Sequence, residues 1–228
     1  MTTQYDIYFV GVGGQGILTI GEIITLTAFR KNLPVNFYPT KGMAQRGGFV
    51  KAQLRLGRAA AGPSIPEKGA DLVIATEISE MLKAVRYVKP GGDVLLYGYK
   101  WAPTAVMLGK APYPALEQVR EQVVAAGGHW HHVAPESVPA FQGAPAPDNI
   151  YLLGAALART PLGAILPPAE VAQVVRERWK KGIDRNLFAF EAGLKAPSSS
   201  PLPPSGEASN SPLPVGEGQG PLALHSAE

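Results

Sequence analysis

Tyr5-Asp6-Ile7-Tyr8-Phe9-Val10, then Gly11-Val12-Gly13-Gly14-Gln15-Gly16, then Ile17–Arg30, is the stretch that decides the fold. The first six residues are mostly β-branched or aromatic and read as a short buried strand. The next six satisfy G-x-G-x-x-G. Ile17, Ile20, Ile24 and Ala28 then share one stripe at helical spacing. A strand, a glycine turn and a helix in this order open a dinucleotide-type unit. Glycines there permit positive φ and let the backbone approach a phosphate at the helix N-terminus. The same turn can serve close packing of strand on helix with no ligand at all.

The alternation continues outward. Strands are expected over Pro34–Tyr38, Gly48–Leu56, Asp71–Thr76, Asp93–Tyr97 and His129–Val133. Gly48–Leu56 has a period of two, which predicts one buried face. Helices are expected over Glu77–Tyr87, Tyr113–Ala126, Asn149–Ala158 and Pro168–Lys180, with Pro168 in the first turn. Pro90-Gly91-Gly92 reads as a turn, and residues 134–148, with four prolines, as a loop. Strand–helix alternation predicts an α/β fold, a doubly wound, largely parallel, Rossmann-like sheet. Residues 1–196 form the expected domain. Residues 197–228, rich in Pro, Ser and Gly, bury too little apolar surface to offset their ordering entropy and are expected to be a disordered tail.

Composition narrows the function. None of the 228 residues is cysteine, which excludes disulfides, thiol catalysis and cysteine-ligated clusters on this chain. A formal net charge of +3 without a Lys/Arg cluster gives no nucleic-acid footprint. No apolar run is long enough to predict a membrane span. The opening MTTQYDIYFV has neither a basic stretch nor a small-residue cleavage site, so cytoplasmic residence is expected.

The glycine turn does not by itself name a ligand. A NAD site wants an acid at the end of the second strand for the ribose hydroxyl. That stretch reads Asn36-Phe37-Tyr38-Pro39-Thr40-Lys41. Lys41 and Arg46 suit a 2′-phosphate, which keeps a free-standing NADP-binding reductase as one alternative. An adenylating enzyme would want an acid in the same region and usually a downstream cysteine, and this chain has neither.

A second segment, Lys41-Gly42-Met43-Ala44-Gln45-Arg46-Gly47-Gly48, lies between two expected strands. Gln45 and Arg46 carry donors suited to carboxylate or phosphate, and Gly47 and Gly48 allow a close backbone approach. A structural turn with a solvated arginine explains the same residues. His129, His131 and His132 resemble a partial metal site, but two ligands on one strand face are too few for zinc. Arg176, Arg178, Lys180, Lys181 and Arg185 read as a basic helix, either solvated or docking an acidic partner.

Together, GVGGQG and GMAQRGG resemble the gamma-type domain of 2-oxoacid:ferredoxin oxidoreductases, most closely the small (beta) subunits of the indolepyruvate type. Three further stretches agree: Ala70-Asp71-Leu72 with Glu77 and Glu80, Asp148–Ala155, and Asn186–Gly193, with Tyr113-Pro114 also fitting. The resemblance spans about residues 5–195. This chain departs from it in having Lys41 where the family commonly has His. The resemblance implies a subunit inactive alone, supporting oxidative decarboxylation of a 2-oxoacid to an acyl-coenzyme A. It places thiamine diphosphate and iron–sulfur clusters on a larger partner chain and sends electrons to ferredoxin. Coenzyme A is a possible ligand here. Gly11, Gly13, Gly14, Gln15 and Gly16 are the expected anion-binding turn, and Gln45, Arg46, Gly47 and Gly48 the expected active-site-facing loop. No catalytic residue and no metal are assigned to this chain. A non-catalytic assembly module is the remaining alternative.

Overall fold

A computed structural model of the chain describes residues 4–40 and 48–196. Strands β1 (Tyr5–Val12), β2 (Val35–Thr40), β3 (Phe49–Leu56), β4 (Ala70–Glu77), β5 (Val88–Tyr99) and β6 (His129–Val133) form one six-stranded sheet in the order β2-β3-β1-β4-β5-β6. β1, β4, β5 and β6 are parallel. β3 runs against both its neighbours, so β2 is again parallel to β1. The expected doubly wound, largely parallel sheet is therefore present, with one antiparallel strand inserted. A small hairpin, β7 (Ala140–Phe141) with β8 (Ala144–Pro145), lies in the proline-rich connection.

Alternating residues of the strands face two cores. Ile7, Phe9, Leu72 and Ile74 pack beneath α1 (Ile17–Arg30), α5 (Asp148–Arg159), α7 (Pro168–Arg178) and α8 (Ile183–Leu194). Tyr8, Val10, Val73 and Ala75 pack beneath α2 (Ile78–Ala84) and α4 (Leu116–Ala125). Each fully buried Ile, Leu or Phe contributes about 1.5–3 kcal/mol, and the near-continuous apolar runs of β1 and β4 reflect burial on both faces. Two short helices, α3 (Thr104–Met107) and α6 (Leu162–Ile165), complete the fold. No helix of the described residues is long and apolar enough to cross a membrane.

Several expected boundaries shift. β4 runs through Glu77, whose carboxylate caps α2, and the helix expected to reach Tyr87 ends in a 3-10 turn, Val85–Tyr87. β5 starts at Val88: Ala70 pairs with Val88 and Leu72 with Asp93, so Pro90-Gly91-Gly92 bulges out of a strand instead of preceding one. The expected basic helix is two elements, because α7 ends at Arg178 and Gly182, at φ 71°, starts α8. Arg178 pairs with Glu22, and Arg185 donates to the Pro145 carbonyl.

α5 and α8 meet backbone to backbone. A Cβ on Gly154 would lie 2.2 Å from the Phe190 carbonyl oxygen, and one on Gly193 2.0 Å from that of Tyr151. The motifs Asp148–Ala155 and Asn186–Gly193 are thus, in part, two halves of one helix contact.

β1 and β4 each have an aspartate at their second position, and β5 has one, Asp93, just after its bulge. Asp6, on β1, is buried and accepts from the forks of Arg55 and Arg58, Oδ2 lying 2.9 and 3.2 Å from their Nη2 atoms. Asp71 meets Lys89 at 2.6 Å and accepts the Asp6 N–H at 2.9 Å. Asp93 meets His131 Nε2 at 2.8 Å. His131 thus has a carboxylate partner, and no cluster of three or more metal-ligating side chains occurs among the described residues.

Candidate functional site

The chain leaves β1 through α1 to reach β2 on one side, and leaves β4 through α2 to reach β5 on the other. The two helices lie on opposite faces of the sheet. The C-terminal ends of β1 and β4 are therefore the switch point of the sheet, the place at which doubly wound sheets bind ligands in a crevice. The glycine loop, residues 11–16, leaves the end of β1 there, on the side of the sheet where β4 and β5 also end.

Gly11 lies against the end of β4: a Cβ there would lie 1.9 Å from Thr76 Oγ1. Gly13 N–H donates to the Gly48 carbonyl at 2.8 Å, which ties the loop to the start of the β3 return. Gly14 (φ 100°) is exposed, and Gly16 (φ 65°) starts α1 in a left-handed conformation. A side chain on Gly16 would also meet Asn149, whose Nδ2 donates to the Gly16 carbonyl at 3.3 Å.

Gln15 turns its amide oxygen inward. Oε1 accepts the Val12 N–H at 3.2 Å and the Thr76 hydroxyl. The backbone N–H can only donate, so oxygen faces it and only the amide NH2 is left to meet a ligand. Among the described residues, the N–H groups of Gly14, Gly16 and Ile17 have no backbone acceptor. The first turn of α1 holds no acid. Asp148 begins α5 beside the loop, and burial holds its carboxyl above the usual range, while its bond to the Asn149 N–H opposes that shift. The result is a backbone donor set at a 14-residue helix N-terminus, suited to a phosphate or carboxylate.

Gln45, Arg46 and Gly47, with Lys41, lie outside the described residues. Gly48 is placed beside the glycine loop by its bond to Gly13.

Glu77 is the residue whose role the sequence did not disclose. It follows Thr76, is fully buried, and accepts four hydrogen bonds. Ser79 Oγ at 2.7 Å and Glu80 N–H at 2.8 Å bind Oε2; Trp101 N–H at 3.2 Å and the Tyr113 hydroxyl bind Oε1. Burial first, then the bond to Glu77, pushes the Tyr113 hydroxyl well above the usual phenol range, so it remains a donor. Adjacent residues at one strand end thus hold two loops: Thr76 the glycine loop, Glu77 the segment after β5. An acid directly after the apolar run Leu72–Ala75 and Thr76 was the available sign.

Comparisons with known proteins cover nearly the whole domain. A family model described as pyruvate ferredoxin/flavodoxin oxidoreductase matches residues 6–196. The indolepyruvate oxidoreductase subunit IorB of Thermococcus kodakarensis is 35% identical over 195 residues, covering 85% of this chain and 96% of that one. The pyruvate oxidoreductase subunit PORC of Thermotoga maritima shares the fold with a TM-score of 0.62 at 19% identity, over 84% of this chain and 96% of that one. A 2-oxoglutarate:ferredoxin oxidoreductase of Magnetococcus marinus, solved with 2-oxoglutarate, coenzyme A and succinyl-CoA bound, aligns with a TM-score of 0.57 at 17% identity, over 89% of this chain but 33% of that longer one.

Proposed function

Since the chain belongs to the pyruvate ferredoxin/flavodoxin oxidoreductase family, we propose that it is the small subunit of a 2-oxoacid:ferredoxin oxidoreductase of the indolepyruvate type. The observation that carries this reading is the match to a subunit named for indolepyruvate over 96% of that subunit's length. A chain without cysteine cannot ligate an iron–sulfur cluster through thiolates. Thiamine diphosphate and the clusters therefore belong to a larger partner, which supplies the decarboxylation and the path of electrons to ferredoxin. This chain is inactive alone and works in the cytoplasm.

Its own contribution is a shaped wall and an anion seat. The N–H groups of Gly14, Gly16 and Ile17 fit a phosphate of coenzyme A, and Thr76 and Gln15 fix the loop that presents them. Gln45, Arg46, Gly47 and Gly48 face the partner's active site in this reading. The experiment is co-expression with the larger chain, then a viologen-linked assay with aryl pyruvates, pyruvate, branched-chain oxoacids and 2-oxoglutarate, with and without coenzyme A. Activity that requires both chains and is highest on aryl pyruvates is expected. Equal activity without this chain, or NADP binding by the isolated chain at micromolar concentration, would overturn the reading.

A further inference from the structure

Gly13 donates its N–H to the Gly48 carbonyl at 2.8 Å, one step beyond the last β1–β3 pair, Val12 with Phe49. On this side the glycine loop is only as well placed as the start of β3. Val50, Ala52 and Leu54 face the core under α1, so by strand alternation Phe49 points to the opposite face, where α2 lies. Lys83 of α2 reaches across to it, with Nζ 4.6 Å from the centre of the Phe49 ring. The same ammonium lies 2.8 Å from Oε1 and 2.7 Å from Oε2 of Glu80, one turn earlier. Glu80 is buried, and its N–H donates to the Glu77 carboxylate at 2.8 Å. Burial pushes the Glu80 carboxyl above its usual range, and its bond to Lys83 opposes that shift.

The loop has three neighbours. Thr76 holds it from β4 through Gln15, and Asn149 holds it from α5 at the Gly16 carbonyl. From β3 it is held by the Gly13–Gly48 bond, and the next residue, Phe49, leaves 38% of its surface exposed. A half-exposed ring at a strand start keeps its rotamer freedom unless something caps it, and an ammonium over its face is attracted by the ring quadrupole. Because Glu80 already fixes Lys83, little further side-chain entropy is lost in making that cap. Resting on the anion seat proposed above, we infer that Lys83 is a positioning residue for the glycine loop: held by Glu80, it pins Phe49 and, through the Gly48–Gly13 bond, keeps the loop in its anion-binding shape.

The test uses the full chain and two readouts. Amide exchange followed by NMR reports opening at Gly13, with Val73 in β4 as the reference for global opening. Titration with coenzyme A and with inorganic pyrophosphate reports the anion seat. The variants are Lys83→Met, Lys83→Arg, Phe49→Leu, the double Lys83→Met/Phe49→Leu, and Lys89→Met, which loses an ion pair with Asp71 but touches no ring. In Lys83→Met, Gly13 should exchange about 2- to 5-fold faster, the factor that loss of an exposed cation–π contact gives, with Val73 unchanged. Affinity for both probes should fall by up to about the same factor, since an anion that binds only the braced loop is weakened as that population falls. Phe49→Leu should match Lys83→Met, the double variant should be no worse than either, and Lys83→Arg and Lys89→Met should behave as wild type. Unchanged Gly13 exchange in Lys83→Met, equal acceleration at Gly13 and Val73, or faster Gly13 exchange with unchanged affinity for both probes overturns the inference and leaves the proposed function standing. A wild type that binds neither probe removes the anion seat from the proposed function, and this inference falls with it, while the small-subunit role is still decided by the co-expression assay.

Discussion

Replacing Glu77 with Gln removes one charge and little volume, yet the structure requires a sizeable loss. All four groups around the carboxylate are donors, two of them hydroxyls and two backbone N–H groups. A glutamine offers one oxygen and one NH2. In either orientation the NH2 faces a backbone N–H, of Trp101 or of Glu80, which cannot reverse. The hydroxyls of Ser79 and Tyr113 can rotate to accept. One buried donor is left unpaired, at about 1–3 kcal/mol. The surviving bonds lose charge assistance, at about 1 kcal/mol each, partly offset by no longer burying a charge. The net loss is about 2–4 kcal/mol, or roughly 4–16 °C in melting temperature for a domain of this size. Urea unfolding followed by circular dichroism measures it. Tyr113→Phe alone should cost less, because Oε1 keeps the Trp101 N–H, and the two changes together should be less than additive. A Glu77→Gln stability within about 0.5 kcal/mol of wild type would refute the reasoning, since surface substitutions alone move stability that much.

Gly16→Ala places a Cβ 2.4 Å from Asn149 Nδ2 at a left-handed residue, and should cost about 2–3 kcal/mol in the same assay, with Asn149→Ala recovering only the contact part. Burial holds the His132 imidazole below its ordinary pKa, with Glu136 opposing and Arg159 assisting. The unfolded chain therefore takes up this proton first as pH falls below about 6.5, so stability drops from there towards the folded pKa. His132→Gln should lose less of its urea midpoint than wild type between about pH 7.5 and about pH 5.5, and an equal loss in both proteins would refute the assignment.

Most of the architecture was legible because burial on both faces leaves plain traces. The apolar runs of β1 and β4, the period-two pattern of β3 and the stripe on α1 each gave an element within a few residues of its place. What could not be read was long-range. Nothing local shows that β3 inserts between β2 and β1, a choice made by register across the sheet. Pro90-Gly91-Gly92 carries turn chemistry, and only the pairing of Ala70 with Val88 makes it a bulge. In the site, the glycines announced a tight turn, whereas the inward aim of Gln15 depends on Thr76, 61 positions away. Glu77 reads as the first residue of an expected helix, and only the fold brings Trp101 and Tyr113 to its carboxylate.

The row of Asp6, Asp71 and Asp93 lies level with the starts of β1 and β4, away from the crevice, and each aspartate has an Arg, Lys or His partner. The molecule is thus polarised between a fastened end and a working end. Sequence drift has different consequences at each. Lys89→Arg keeps an ion pair with Asp71 and leaves the far crevice in place, whereas a one-atom change at Gly11 strikes Thr76 directly. Protein engineers can exploit the difference: stabilising substitutions and fusion points belong at the aspartate end, where they alter how long the fold survives without altering what its other end presents.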